Sequence, residues 1–209
     1  MVRVVAMVYV LSKNTANRKT AVNCVTFVAT ETPAMHKKQL KYSSKFTDGE
    51  LLYPNGYFFK PSLLHKTNKI ASAHITQVNL HTYPPSLVRN HQEVLFVLPD
   101  AKRELEKFAK DHSIPIVERT DIWELLCRPY LDTELSAEEH QQDLRLLEQN
   151  GFDNHEVTSI RKRIRKTMWL NYFVWEWTYL GLFDYLSWTF LNSKKYNWAM
   201  EIALRNYRR

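Results

Sequence analysis

The sequence predicts an α+β protein, and three observations carry that reading. Runs rich in Val, Thr, Tyr and Phe, parted by turn residues, fill the first hundred positions. A strand–helix–strand–helix pattern follows over 94–127, and from 136 onward the apolar spacing is helical. The expected architecture is an antiparallel β-rich N-terminal part, a central βαβ unit and a C-terminal aromatic-rich helical bundle. A basic β-rich region over 1–98 and a mainly helical region over 99–209 are expected, packed as one domain or two.

Residues 2–30 read as two strands around the polar loop Ser12–Thr20. In 40–46, alternation puts Leu40, Tyr42, Ser44 and Phe46 on one face and Lys41 and Lys45 on the other. Asp48-Gly49 marks a turn, and Pro54-Asn55-Gly56 is expected to join 51–53 and 57–59 as a hairpin. Ile70 to Leu80 supplies a further strand, ended before Pro84-Pro85.

The unbroken apolar run Val94–Leu98 reads as a strand buried on both faces. Asp100 is expected to cap a helix over 101–112, and Thr120 one that ends at Cys127, before Pro129. With Ile114–Val117 as its second strand, this is a βαβ unit whose strands run parallel. Ala137 to Gln149 forms a helix stopped by Asn150-Gly151, and Asp153 or Asn154 caps the next. That helix places Val157, Ile160, Ile164 and Met168 on one face. It runs into an aromatic segment broken at Gly181, and a last helix covers roughly 196–206.

The balance of 44% hydrophobic and 24% charged residues excludes a disordered chain. Two cysteines, Cys24 and Cys127, without paired spacing, argue for a reducing, cytoplasmic setting. Val4–Leu11 reads as a strand rather than a signal peptide. The apolar stretch Met168–Leu191 carries Asn171, Glu176 and Asp184, so a packed helix is expected there and no membrane span.

The net charge of +7 is unevenly spread. Residues 1–99 hold 12 Lys/Arg against four Asp/Glu, whereas 100–209 hold 17 against 18. A basic half implies an anionic partner, most often nucleic acid. Lys37, Lys38, Lys41, Lys45, Lys60 and Lys66 interleave with Tyr42, Phe46, Tyr53, Tyr57, Phe58 and Phe59. Sheets that bind single strands pair such rings with such lysines; the same pattern also suits rings in a core and lysines on an edge. A second basic cluster, Arg161, Lys162, Arg163, Arg165 and Lys166, follows a helical hairpin with Gly151 at its turn, as in a helix-turn-helix. The alternative is a solvated face neutralised by the acidic helix 138–148.

Asp100, Glu118, Arg119, Thr120 and Asp121 fall at the carboxyl ends of the two βαβ strands, where α/β sheets place ligands. Val94–Leu98, Phe108-Ala109, Ile114–Val117 and Leu125-Leu126 resemble the closing βαβ half of restriction-like nucleases. That family's D…ExK signature has no counterpart upstream, so its chemistry does not carry over to these residues. The carboxylates Asp132 and Glu134 read as a turn, and His74, His81 and His91 lack zinc-ligand spacing. With four glycines and no GxSxG, P-loop or GxGxxG, no cofactor is expected.

The first functional expectation is a non-enzymatic protein whose basic β-rich half contacts nucleic acid. The Trp-rich C-terminal helices support an alternative, a protein-interaction or regulatory module with a protein partner or a second copy of the chain. A metal-dependent nuclease or phosphodiesterase is the third.

Overall fold

A computed structural model describes residues 43–131, 135–168, 180–188 and 192–207. These belong to one compact unit, Pro33–Arg209. The strands expected over 2–30, residues Lys37, Lys38, Lys41 and Tyr42, the pair Asp132/Glu134 and the segment carrying Trp169, Trp175 and Tyr179 lie outside the described residues.

Among the described residues the strands form two antiparallel three-stranded sheets. In the first, β1 (Lys45–Phe46), β2 (Glu50–Leu52) and β3 (Lys69–Ala71) lie in sequence order. The β1–β2 turn is the one that Asp48-Gly49 announces, with Gly49 at φ +89° and the Thr47 N–H on the Glu50 carbonyl. Pro54-Asn55-Gly56 is also a turn, closed from the Gly56 N–H to the Tyr53 carbonyl. It does not join two strands. Tyr57–Phe59 turn inward as core residues, and β2 pairs instead with β3, beyond helix α1 (Leu63–Thr67). That short helix is fixed at both ends, by the Ser62 side chain on the Leu64 N–H and by Asn68 in the left-handed region.

The second sheet orders β4 (Ile75–Asn79), β5 (Ser86–Arg89) and β6 (Glu93–Phe96). All four residues of β6 are buried, Val94–Phe96 as the apolar run predicts and the carboxylate of Glu93 with them. After helix α2 (Lys102–Asp111), Ile116 returns to this sheet in parallel with Val78 of β4. The Val78 N–H donates to the Pro115 carbonyl and the Val117 N–H to the Val78 carbonyl. The returning segment, bridged to β4 at this one position, therefore runs parallel to β6. Two strands separate them, roughly 14 Å at the usual strand spacing.

Five further α-helices follow among the described residues: α3 (Ile122–Cys127), α4 (Ala137–Gln149), α5 (Asn154–Met168), α6 (Leu182–Trp188) and, last, α7 (Ser193–Ala203). Helix α4 starts in a capping box of Ser136 and Glu139. It ends in a Schellman turn: Gly151, at φ +85°, donates to the Glu148 carbonyl and Phe152 donates to Leu147. Asp153 then accepts the Glu156 N–H at 2.7 Å to open α5.

Two expected caps are corrected. Asp121, not Thr120, caps α3, one carboxylate oxygen accepting from both Trp123 and Glu124. Asp100 caps nothing with its side chain; Pro99–Ala101 form a 3-10 turn, so α2 begins later.

The core runs from Leu51 to Leu204 and joins the sheets to the helices. Phe183 of α6 meets the rings of Phe58 and Phe59 at 5.5 Å and that of Phe96 at 5.3 Å. Trp123 is buried against Tyr185 and donates from Nε1 to the Ala199 carbonyl.

Candidate nucleic-acid interface

The aromatic residues of 53–59 are not a stacking platform. Tyr53, Tyr57 and Phe59 are buried, and Phe58 and Phe46 pack against the same core. The ring contacts run among themselves, with Tyr53–Tyr57 and Tyr57–Phe58 both at 5.1 Å and edge-on. Among the lysines around them, Lys45, Lys60 and Lys66 are exposed, and Lys69 pairs with Glu50 at 2.9 Å. Half of this composition signal is therefore a core, because rings gain more from burial than from waiting in water for a partner.

The second basic cluster is arranged differently. Helix α5 buries Val157, Ile160 and Ile164, a spacing that sets the opposite face toward solvent. That exposed face carries His155, Thr158, Ser159, Lys162, Arg165 and Lys166, with no carboxylate among them. Fifteen residues of helix span about 22 Å.

The other two arginines of the cluster are engaged. Arg161 is half-buried, its guanidinium donating to the Leu125 carbonyl at 3.0 Å, and burial holds its pKa below the ordinary arginine value. It ties α5 to α3. Arg163 stacks on the Trp198 ring at 3.9 Å. Of the α5 residues expected to contact nucleic acid, Lys162, Arg165 and Lys166 are presented to solvent, and Arg161 is turned inward. A 3.6-residue wheel centred on Lys162 places His155, Thr158 and Ser159, which carry no charge signal of their own in the sequence, on the same face.

The acidic helix does not neutralise this face. Its Asp143 is buried and pairs with Arg128 at 2.6 Å, while Glu139 reaches back to the Ser136 N–H. Among the described residues no carboxylate lies within 4 Å of Lys162, Arg165 or Lys166. Burial raises the Asp143 pKa above the usual carboxylate range, opposed by Arg128 and Arg161. Its second oxygen and the Arg161 Nε are both buried without a protein partner.

The rim of the βαβ unit does not gather carboxylates. Asp121 serves as a cap, and Glu118 is exposed beside His81 at 3.9 Å. Arg119 turns inward, donating to Gln77 and to the Asn206 carbonyl. Among the described residues, no three His, Cys, Asp or Glu side chains are placed to hold a metal ion, and Cys127 is a buried free thiol. No helix among them is long and apolar enough to cross a membrane. Comparison with protein-family models, with curated proteins and with solved structures finds no significant match to this chain.

Proposed function

We propose that the protein is a non-enzymatic nucleic-acid-binding protein in which the solvent face of α5 holds phosphates, assisted by exposed lysines of the β-rich half such as Lys45 and Lys60. One observation carries the reading: Lys162, Arg165 and Lys166 share a helix face with hydroxyl and imidazole groups and no acid. Like charges three and four residues apart cost a helix about 0.2–0.5 kcal/mol per pair. The helix dipole offsets that cost for Arg165 and Lys166 in the last turn, but not for Lys162 in mid-helix. Ser and Thr hydroxyls beside Lys and Arg are the groups that meet phosphate oxygens in nucleic-acid complexes.

The test is binding of random-sequence duplex DNA and single-stranded RNA by fluorescence anisotropy from about 50 to 200 mM salt. Wild type should bind with affinity falling steeply as salt rises. The triple variant Lys162→Glu, Arg165→Glu, Lys166→Glu should bind far more weakly, with a duplex salt slope shallower by about 0.9 for each phosphate it no longer neutralises. Because all three side chains are exposed, the fold should be kept, at a cost of about 0.3–1 kcal/mol for each acid placed in the last turn against the helix dipole. No binding by wild type at the lowest salt, or equal binding by the variant, removes the proposal.

A further inference from the structure

The hairpin joining β5 and β6 holds a charged pair in an unusual setting. Arg89 and Glu93 face each other across the two strands, and the Arg89 Nε donates to Glu93 at 3.2 Å. The Glu93 side chain is only 7% exposed, and its other oxygen accepts the Tyr196 hydroxyl at 2.6 Å. Each carboxylate oxygen thus accepts one hydrogen bond, and the guanidinium is held through Nε only. Among the described residues, the Arg89 Nη1 and Nη2 have no hydrogen-bond partner, although the side chain is 18% exposed. A guanidinium so held keeps a preorganised, planar pair of donors.

Arg89 lines two clefts, of about 310 and 350 Å³, that also share Leu63. The smaller has Glu201 on its wall, an exposed acid with no ion-pair partner among the described residues, which repels anions. The larger lies between α1, β3 and the turn after β5. Its acid and its lysine, Glu50 and Lys69, neutralise each other, and Leu63 and Ala71 give it apolar surface, while Leu64 and Ile70 at its wall are buried. Leu63 overhangs it with 45% exposure. A volume of this order suits a small molecule.

We propose that the larger cleft binds a small monocarboxylate, its carboxylate on the Arg89 fork and a short branched aliphatic body against Leu63 and Ala71. A planar monoanion fits better than phosphate: the fork offers two coplanar donors, and Glu93 already balances one unit of the Arg89 charge. The site is independent of the α5 face.

The probe is 4-methylpentanoate, titrated into the full chain and followed by proton–nitrogen NMR that includes arginine Nε–H signals. Saturable shifts at Arg89, Ile70 and Ala71 are expected with Kd of about 1 mM, the scale open to so small a ligand. The matching amide, 4-methylpentanamide, should bind at least about tenfold more weakly because it presents no charge to the fork. Arg89→Lys keeps the charge but loses the fork, and should weaken binding by a similar factor. Should that variant fail to fold for want of the Glu93 contact, Leu63→Glu tests the same point: residue 63 is exposed at the start of α1, and a carboxylate there should abolish binding. Unsaturable shifts, equal binding of the amide or of inorganic phosphate, or an unchanged Leu63→Glu protein would each overturn the proposal. The triple α5 variant should bind 4-methylpentanoate as wild type does, which separates this site from the nucleic-acid reading.

Discussion

The Tyr57 hydroxyl accepts the backbone N–H of Phe96 at 2.9 Å, closing the outer edge of β6 with a side chain instead of a strand. Tyr53 completes the closure by donating to the Phe96 carbonyl at 2.8 Å, and the Met200 sulfur takes the Val94 N–H at 3.4 Å. Burial pushes both phenols well above the ordinary tyrosine value, so they stay neutral. Three side chains thus satisfy polar groups that would otherwise lie orphaned in the core or template a foreign strand.

Tyr57→Phe should therefore cost more than a missing hydroxyl suggests. The ring still fits, but the Phe96 N–H is left buried and unsatisfied, a penalty of about 1–3 kcal/mol. Urea denaturation should show a lower midpoint with an unchanged slope. A midpoint within error of wild type would mean that water replaces the hydroxyl.

The two aspartates flanking α2 and α3 should behave unequally. Asp121 accepts two N–H groups at the start of α3, so Asp121→Ala should cost about 0.5–2 kcal/mol. Asp100 makes no cap, and Asp100→Ala should stay within about 0.5 kcal/mol. Neither protein should be stabilised by Mg²⁺ or Mn²⁺ in a thermal shift. A metal-dependent shift of several degrees that Asp100→Ser abolishes would bring the nuclease reading back.

Ser136→Ala should cost about 1 kcal/mol at neutral pH through loss of the α4 cap. The Ser136 backbone N–H, and after it the Ser136 hydroxyl that Ser136→Ala removes, hold the Glu139 pKa below its usual value. A depressed folded-state pKa gives stability that is present above the unfolded value and lost as pH falls through the folded one. The gap between wild type and Ser136→Ala should accordingly narrow as pH drops below the ordinary glutamate range. Denaturation series at neutral and acidic pH check this, and a gap that widens in acid contradicts the linkage.

The sequence alone determined what depends on neighbours in the chain. The turn at Asp48-Gly49, helix α4 over Ala137–Gln149 with its stop at Gly151, and the burial of Val94–Phe96 follow from local residue chemistry and periodicity. Tertiary structure decided the rest, because partners distant in sequence compete for the same groups. Whether Tyr57 and Phe59 stack on bases or fill a core turned on Phe96 and Phe183, up to 124 residues away, as the ring contacts of Phe59 with Phe183 show. A run of five basic residues looks uniform in sequence, yet Leu125 and Trp198 engage Arg161 and Arg163 and leave Lys162, Arg165 and Lys166 to solvent. The anchoring of Arg89 was equally invisible, since its Glu93 is held by Tyr196 from the far end of the chain. Local rules fix which face a residue takes; only the packed chain fixes what that face meets.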